Sequence, residues 1–328
     1  MRQRKPSSIV ALKTLQTLQN SSNISECLKE FEIQMECRIK GIGLMVYGLT
    51  YNATTKEYLM VYQYANKGNL HEYLESNFRE FYWMSKLEQL VYISYDLSQI
   101  HEAGFIHGDI HSKNILLHLD YSYHYKKLYS YITDLGLSRR KNEQRSNVFG
   151  VKQYVAPEVL ESGQFTSAAD IYGFGAIMSE MSTGKRPFYG IPDEDLSYMK
   201  LNGSLPEFAP ETPDCYVELA KKCMNSDPEK RPSAEKITLE LYRWHRMMIE
   251  FPKTIEEHDI KKKFLYSDEI NKNSTVNLVK DSNMISISKI INTHETDLII
   301  HTSKIIDTHE TEAQDSKLLE LTVPDEWF

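Results

Sequence analysis

The sequence has 328 residues, of which 41% are hydrophobic and 26% charged, and its formal net charge at pH 7 is −8. These values are typical of a soluble globular chain that can bury a sizeable core. The acidic balance argues against a general nucleic-acid binder, which carries an excess of Lys and Arg. No apolar stretch is long enough to span a bilayer, and the four cysteines form no CxxC pair. We therefore expect a cytoplasmic protein without a membrane segment or a disulfide framework.

The first part of the chain alternates short β-rich runs with one helical pattern. A β-rich run over residues 9–12 ends at Lys13, and apolar residues at helical spacing then predict a helix over 23–41. Two further β-rich runs, "GLMVYGLTY" (43–51) and "EYLMVYQYA" (57–65), are joined by the turn-like "NATTK". This pattern predicts a small β-rich lobe over the N-terminal part of the chain.

Helical patterns dominate the chain after residue 68. The spacing of apolar residues predicts helices over residues 85–104, 169–183, 215–224 and 234–248. The sequence thus divides into a β-rich N-terminal lobe with a connecting segment over 1–68 and a larger helical lobe over 69–249.

From residue 250 the composition shifts to Ile, Thr, Ser, Asn, Asp and Lys without a clear helical or strand period. This segment contains an internal repeat, "SKIINTHET" from Ser288 and "SKIIDTHET" from Ser303. Two copies are too few for a solenoid. We interpret residues 250–328 as a low-order tail, in which the repeats are either sites for a docking partner or for modification, or a duplicated linker without a role.

The stretch "IHGDIHSKNILL" (106–117) places three histidines around an aspartate, immediately before an apolar run. One interpretation is a metal cluster with His107, Asp109 and His111 as ligands. The other is a loop that holds Asp109 at a substrate and Asn114 at a metal. The remaining motifs of the chain decide between the two.

Four short motifs follow one another along the chain: "VALK" ending at Lys13, "HGD" with Asp109 followed by Asn114, "DLG" beginning at Asp134, and "APE" over 156–158. Their order and spacing resemble those of the protein kinase family, which has V-A-I-K, H-R-D-x4-N, D-F-G and A-P-E in this order. The resemblance covers residues 9–248. It implies an α+β, bilobal protein kinase fold with a truncated β-rich N-lobe and a helical C-lobe, and it outweighs the metal-cluster interpretation.

The resemblance also implies transfer of the γ-phosphate of ATP to a Ser or Thr hydroxyl of a protein substrate, with a Tyr hydroxyl as the alternative acceptor and Mg2+ as cofactor. Asp109 would orient the substrate hydroxyl or accept its proton, and Lys113 would lie against the transferring phosphate. Asn114 and Asp134 would supply the oxygen ligands that Mg2+ prefers.

On the nucleotide side, the resemblance implies that Lys13 contacts the α- and β-phosphates. A glutamate on the following helix would hold this lysine, and Glu30 matches the family pattern better than its rivals Glu26 and Glu32. His107 becomes a packed residue of the core, and His111 a loop residue.

The adenine site would lie at "VYQYANKGNL". There Tyr62 corresponds to the gatekeeper, and the hinge runs from Gln63 to Ala65, with backbone groups that pair with adenine. Ala11 and Leu116 would sandwich the ring from its two sides.

Three further residues acquire structural roles from the resemblance. Glu158 and Arg231 would form a buried ion pair, and Asp170 would accept hydrogen bonds from the catalytic-loop backbone. Gly108 replaces the arginine that usually binds a phosphorylated residue, so activity should not depend on phosphorylation at Ser138 or Ser146.

"HSKN" and "TGKRPF" are similar to the tyrosine-kinase-like branch, which mostly phosphorylates Ser and Thr. The family's glycine-rich hairpin is not found in the twelve residues before Lys13, none of which is glycine. Two alternatives follow: a truncated product, or a catalytically weak pseudokinase that acts as a scaffold or allosteric partner.

Overall fold

The computed structural model describes residues 9–14, 31–37, 43–52, 57–121, 126–135, 139–140, 148–273 and 290–291. Mixed helices and strands make up a small β-rich lobe followed by a larger helical lobe, which confirms the predicted bilobal α+β class. No helix in these ranges is both long enough and apolar enough to cross a membrane.

The small lobe contains a three-stranded antiparallel sheet of β1 (Val10–Thr14), β2 (Val46–Asn52) and β3 (Glu57–Gln63) in the order β1-β3-β2. Its Val, Tyr, Leu and Thr residues favour a pleated, half-buried surface. Lys13 lies opposite Met60 in the register of β1 and β3. The three predicted β-rich runs are thus confirmed as strands.

Residues 31–37 form helix α1, which belongs to the predicted N-terminal helix. Residues four apart share one side of a helix. Phe31 and Met35 pack against the buried cluster of the small sheet, whereas Ile33 and Cys37 belong to the core of the larger lobe. Helix α1 therefore joins the two cores.

The helices of the larger lobe are α2 (Leu70–Asn77), α3 (Trp83–Glu102), α4 (Pro157–Ser162), α5 (Ser167–Thr183), α6 (Asp193–Leu201), α7 (Asp214–Cys223), α8 (Ala234–Ile249) and α9 (Ile255–Asn273). The four predicted helices of this lobe are confirmed as α3, α5, α7 and α8, with ends that differ by at most two residues.

Helix α5 is the centre of the larger lobe, because its side chains are buried on nearly all sides. The side chain of Thr166 caps its N-terminus by accepting a hydrogen bond from a backbone N–H of the first turn. A Cβ atom at Gly173 would lie only 2.8 Å from the carbonyl oxygen of Ile110. Glycine at this position therefore allows α5 to approach the backbone of the loop over residues 107–114, called the HGD loop below.

Short strands frame that loop. β4 (Phe105–Ile106) pairs with β7 (Arg139–Arg140), and β5 (Ile115–Asp120) forms an antiparallel hairpin with β6 (Lys127–Ile132). A single 3-10 turn, Ser112–Asn114, leads into β5. The loop between β4 and β5 is thus anchored at both of its ends.

Helix α9 lies at the start of the segment that we predicted as a low-order tail. The predicted start of that tail, residue 250, is therefore one helix too early. Phe264 is fully buried, with its ring centroid 5.2 Å from that of Trp83 and 6.0 Å from that of Trp244. The indole Nε1 of Trp83 donates to Ser267 Oγ at 2.8 Å. Only Phe264 and Ser267 of α9 are buried, and apolar residues such as Leu265 and Tyr266 lie on its exposed sides, so the helical period is weak in the sequence.

The tail repeats lie outside the described residues except for β9 (Ile290–Ile291), which belongs to the first copy. β9 pairs antiparallel with β8 (Val148–Phe149). Ser138 and Ser146, the expected phosphorylation positions, also lie outside the described ranges.

Candidate active site

The backbone of the HGD loop is held by the buried carboxylate of Asp170 at the start of α5. This carboxylate accepts hydrogen bonds from the amides of His107 and Gly108, both at 2.8 Å, and lies 2.9 Å from His101 Nε2. Burial alone would raise the pKa of Asp170, but the hydrogen bonds from His101 and from the Gly108 amide hold it below its usual range. The predicted role of Asp170 is confirmed.

Both ring nitrogens of His107 are engaged inside the protein. Nε2 donates to the carbonyl oxygen of Thr133 at 3.0 Å, and Nδ1 accepts from the Asp109 amide at 3.2 Å. Across the part of the chain that the structure describes, no three His, Cys, Asp or Glu side chains converge as metal ligands. The metal-cluster interpretation is therefore excluded for these residues, and His107 is a packed core residue as expected.

Asn114 links Asp109 in the HGD loop to Thr133, the residue before Asp134. Its Nδ2 donates to the carbonyl oxygen of Asp109 at 2.9 Å and to Asp109 Oδ2 at 3.1 Å. Its own carbonyl oxygen accepts from the backbone N–H of Thr133 at 2.9 Å and from the Thr133 hydroxyl at 3.1 Å. Within the described ranges the side-chain Oδ1 of Asn114 accepts no hydrogen bond, which leaves this oxygen for a ligand.

Asp134 follows directly after Thr133 and has a left-handed backbone conformation, with a φ of 64°. Non-glycine residues adopt this region at a cost of about 1–3 kcal/mol, and such strain concentrates at functional sites. Asp134 Oδ1 lies 2.7 Å from the Nζ of Lys13 on β1. These side chains retain 32% and 20% of their exposure, so solvent and ligands reach the ion pair.

The predicted adenine residues come together at one apolar cluster. Ala65 is one of its buried members, and Ala11 and Leu116 pack against it as partly buried residues. The amide of Gln63 already donates to the carbonyl oxygen of Met45 at 2.8 Å. The amide of Ala65 makes no hydrogen bond to any residue that the structure describes.

The connection after β3 is tied to the helical lobe through β5. The side chain of Asn66 donates to the carbonyl oxygen of Leu119 at 2.9 Å and accepts from the Leu119 amide at 2.8 Å. Lys67 and Gly68 exchange backbone hydrogen bonds with Leu117. The predicted hinge is therefore a short, well-anchored segment.

The two remaining predicted site residues are Glu30 and Lys113, and only Lys113 lies among the described residues. Glu30 lies outside the described residues, as does its rival Glu26, and the second rival, Glu32, is exposed on α1. Lys113 is half-buried in the 3-10 turn; burial and the nearby Arg186 lower the pKa of its amine, against the opposing effect of nearby glutamates.

His111 is more than a loop residue, because its ring is buried beside Asp109. Its Nδ1 accepts a hydrogen bond from the Lys113 amide at 3.2 Å, and its Nε2 lies 3.4 Å from Asp109 Oδ2. The ring thus lies directly against the Asp109 carboxylate.

The predicted ion pair between Glu158 and Arg231 is confirmed. The Nη1 and Nη2 atoms of Arg231 donate to the two carboxylate oxygens of Glu158 at 2.6 and 2.7 Å. This bidentate geometry is the strong form of the interaction. It fixes the start of α4, which contains the Pro and Glu of the "APE" motif, to the segment that precedes α8.

A buried polar network beneath the HGD loop was hardly indicated by any sequence pattern. The Tyr154 hydroxyl donates to Glu180 Oε2 at 2.7 Å and lies 3.1 Å from Ser112 Oγ, and Glu180 Oε1 lies 2.7 Å from His71 Nδ1. Burial and the nearby Glu180 raise the pKa of Tyr154 well above its usual value. The one signal was Glu180 itself, a lone carboxylate within the apolar run "IYGFGAIMSEM".

Comparisons with known proteins agree with this geometry. The family model for protein tyrosine and serine/threonine kinases matches residues 1–241, and the chain therefore belongs to the protein kinase family.

A probable serine/threonine-protein kinase of Dictyostelium discoideum is 29% identical over 243 residues, which cover 70% of this chain and 17% of the relative. An Aurora kinase of Schizosaccharomyces pombe is 28% identical over 242 residues, covering 72% of this chain and 64% of the relative. A protein kinase and PP2C-like domain-containing protein of Arabidopsis thaliana is 26% identical over 250 residues, covering 64% and 36%. The chain spans less than two thirds of the length of each of these relatives.

Proposed function

We propose that the chain is a serine/threonine protein kinase that transfers the γ-phosphate of ATP to a hydroxyl of a protein substrate. The observation that carries this proposal is a continuous set of contacts through the predicted residues. Lys13 contacts Asp134, the neighbouring Thr133 binds Asn114, and Asn114 binds Asp109. Phosphoryl transfer needs positioning and charge neutralisation more than covalent chemistry, and a rigid polar chain of this kind supplies positioning.

Asp109 is the residue that orients the substrate hydroxyl and accepts its proton. The two hydrogen bonds from Asn114 Nδ2 fix its backbone and one carboxylate oxygen. The half-buried amine of Lys113 follows on the same turn and contributes positive charge for the transferring phosphate. A positioned carboxylate of this kind contributes about 10²–10⁴-fold to proton-transfer steps.

The donor set fits Mg2+ bound together with a nucleotide. Asn114 Oδ1 and the Asp134 carboxylate are hard oxygen ligands, and Mg2+ in such sites takes one or two carboxylates plus the phosphates of the substrate. When bound, the ion supplies neutralisation of the phosphate charge. Lys13 holds the α- and β-phosphates. Because its amine contacts Asp134 in this structure, the amine must move toward the nucleotide when ATP binds.

The apolar cluster around Ala65 supports the adenine site. Ala11 and Leu116 cover the two faces of the ring, and the unengaged Ala65 amide pairs with one of its edge nitrogens. Gln63 contributes through its carbonyl oxygen, because its amide is bound to Met45. Selection of Ser and Thr over Tyr, a cytoplasmic location and a docking partner for the tail remain predictions.

A second candidate is a catalytically weak pseudokinase that acts by binding. It is favoured by the contact of 2.7 Å between Lys13 and Asp134, in which the amine and the carboxylate neutralise each other where the phosphates would bind. Nucleotide binding must then compete with an existing ion pair.

Binding of Mg-ATP is tested by thermal unfolding of the 328-residue chain. Saturation to about 100 times Kd should stabilise the parent by about 2.7 kcal/mol. EDTA should abolish the shift, and Asp134→Ala should lack it. Asp195→Ala, an exposed carboxylate on α6, serves as the matched control and should keep the shift of the parent. An unchanged shift in Asp134→Ala would contradict the assignment of this residue.

A further inference from the structure

Lys200 is a fully buried lysine on α6 whose amine makes a complete set of hydrogen bonds. Its Nζ donates to the carbonyl oxygens of Lys152, Gln153 and Val155, each at 2.8 Å. An ammonium group has three N–H donors and no acceptor, so these carbonyls use its whole hydrogen-bonding capacity. The side chain is only 1% exposed.

Two aromatic rings complete the surroundings of this amine. The ring centroids of Tyr172 and Phe188 lie 4.9 and 5.2 Å from Nζ, within the range of cation–π attraction. Burial lowers the pKa of Lys200 well below its usual value, against the opposing charge of Glu158. The three carbonyl bonds and the two rings offset this desolvation of the ammonium form.

The three carbonyls belong to the segment that borders the catalytic carboxylate. A Cβ at Gly150 would lie 3.2 Å from Asp109 Oδ1, and the hydroxyl of Tyr154 lies 3.1 Å from Ser112 Oγ in the HGD loop. Residues 150–156 therefore form one wall beside Asp109. Three nearby carbonyls converge on one point only if the backbone bends around a donor, and buried carbonyls require such a donor.

We propose that Lys200 is a positioning residue whose ammonium holds the backbone of residues 152–155 in the shape that presents a protein substrate to Asp109. The inference rests on the proposed kinase function. It also explains how the segment is ordered without a phosphate, since Gly108 offers no guanidinium to bind one. Lys200 touches neither nucleotide nor substrate, and it acts through the backbone that it binds.

Steady-state kinetics of Lys200→Met provide the first test, with β-casein as protein substrate and phosphatase-treated enzyme. Methionine keeps the unbranched shape but cannot donate a hydrogen bond. We expect kcat/KM for β-casein to fall by about tenfold or more, because small displacements near the reacting groups cost rate, while KM for ATP changes by less than about twofold. A parent that is active before phosphatase treatment and inactive after it would show that a phosphate, and not Lys200, orders the segment, and would overturn the proposal.

Lys86→Met is the matched control. Lys86 is also 1% exposed and lies over the rings of Phe78 and Trp83, with Nζ at 4.0 and 5.1 Å from their centroids, but on α3. It should leave both kinetic constants unchanged. Equal losses for β-casein and ATP, or equal losses in the two variants, would show a general structural role and overturn the proposal.

Hydrogen exchange separates this inference from the proposed function. Amides of residues 150–156 should exchange about tenfold faster in Lys200→Met than in the parent and in Lys86→Met, since local opening becomes easier. If the parent transfers no phosphate, the kinase proposal fails, and this exchange result alone decides whether Lys200 holds the segment. Unchanged exchange would overturn it.

Amine acylation of the parent covers the case in which Lys200→Met does not fold. Lys200 should remain unmodified while Lys230, whose side chain is 70% exposed, reacts fully. Equal reactivity of the two amines would show that the three carbonyl bonds do not persist in solution and would overturn the proposal.

Discussion

Replacing Arg231 with methionine should destabilise the protein by about 3–5 kcal/mol, the usual cost of removing one partner of a buried ion pair. Its side chain has no exposed surface and donates four hydrogen bonds. Two of these reach Glu158, and the others reach the carbonyl oxygens of Ala168 and Asn225 at 2.8 Å each. Glu158 retains 23% exposure, so its unpaired carboxylate keeps some hydration and the loss should fall toward the lower end.

Urea unfolding measures this loss directly, provided that the m value is unchanged between parent and variant. Arg243→Met is the matched control, because Arg243 is 48% exposed and lies 3.7 Å from Glu256. A surface ion pair of this kind contributes about 0–1 kcal/mol. If Arg231→Met loses less than about 1 kcal/mol, or no more than the control, the buried pair does not stabilise the fold as argued.

Two further predictions concern buried groups elsewhere in the helical lobe. Burial raises the pKa of Asp96 to about 7, against the amides of Ile132 and Gly43. Because the folded pKa of Asp96 is raised, its carboxyl stabilises the fold fully below the unfolded pKa of 3.8, and this contribution is lost as the pH rises toward 7. Asp96→Asn should therefore gain stability relative to the parent across this pH window, by at most about 4 kcal/mol. A difference in the free energy of urea unfolding that does not change with pH would contradict this. Ser267→Ala should cost about 1–3 kcal/mol, because the buried indole N–H of Trp83 loses its acceptor; a urea midpoint equal to that of the parent would show that α9 does not depend on this bond.

Much of the fold was predictable because its signals are local. The β-rich runs and the long amphipathic helices follow from periodicity within each segment, and α3 and α8 are long enough for the period to be clear. The short helices α2, α4 and α6 span two turns or so, and no period develops over that length. In α9 apolar residues also lie on the exposed sides, so the helical period is weak.

The site divides in the same way. The proximity of Asp109, Asn114 and Asp134 was predictable because motif spacing reports a backbone arrangement, and their catalytic and metal-binding roles stay predictions. The contacts of Asp170 and Arg231 followed from the same resemblance. Lys200 could not be predicted, since its partners are carbonyl groups about 45 residues earlier in the chain. Backbone acceptors carry no sequence signature, and a lysine in a polar helix is expected to be exposed.

The hydrogen bond between Tyr154 and Glu180 could be predicted only in part. Glu180 stands alone in an apolar run, and a buried carboxylate needs a partner, so its presence indicates a polar contact inside the core. Which residue supplies that contact depends on how the segment before α4 folds over α5. Tertiary packing alone determines that choice.

The proposed function depends on Asp109, which carries phosphoryl transfer from ATP to a protein hydroxyl. Its most direct test is transfer of the labelled γ-phosphate to β-casein by the 328-residue chain, compared with Asp109→Asn. Asparagine preserves the size of the side chain and an oxygen that can accept from Asn114, but it cannot take up the proton. We predict Mg2+-dependent transfer by the parent and a fall in kcat of about 10²–10⁴-fold in the variant, with Mg-ATP binding retained. Equal rates in parent and variant would contradict the role of Asp109, and a parent that binds Mg-ATP and transfers no phosphate would favour the pseudokinase alternative.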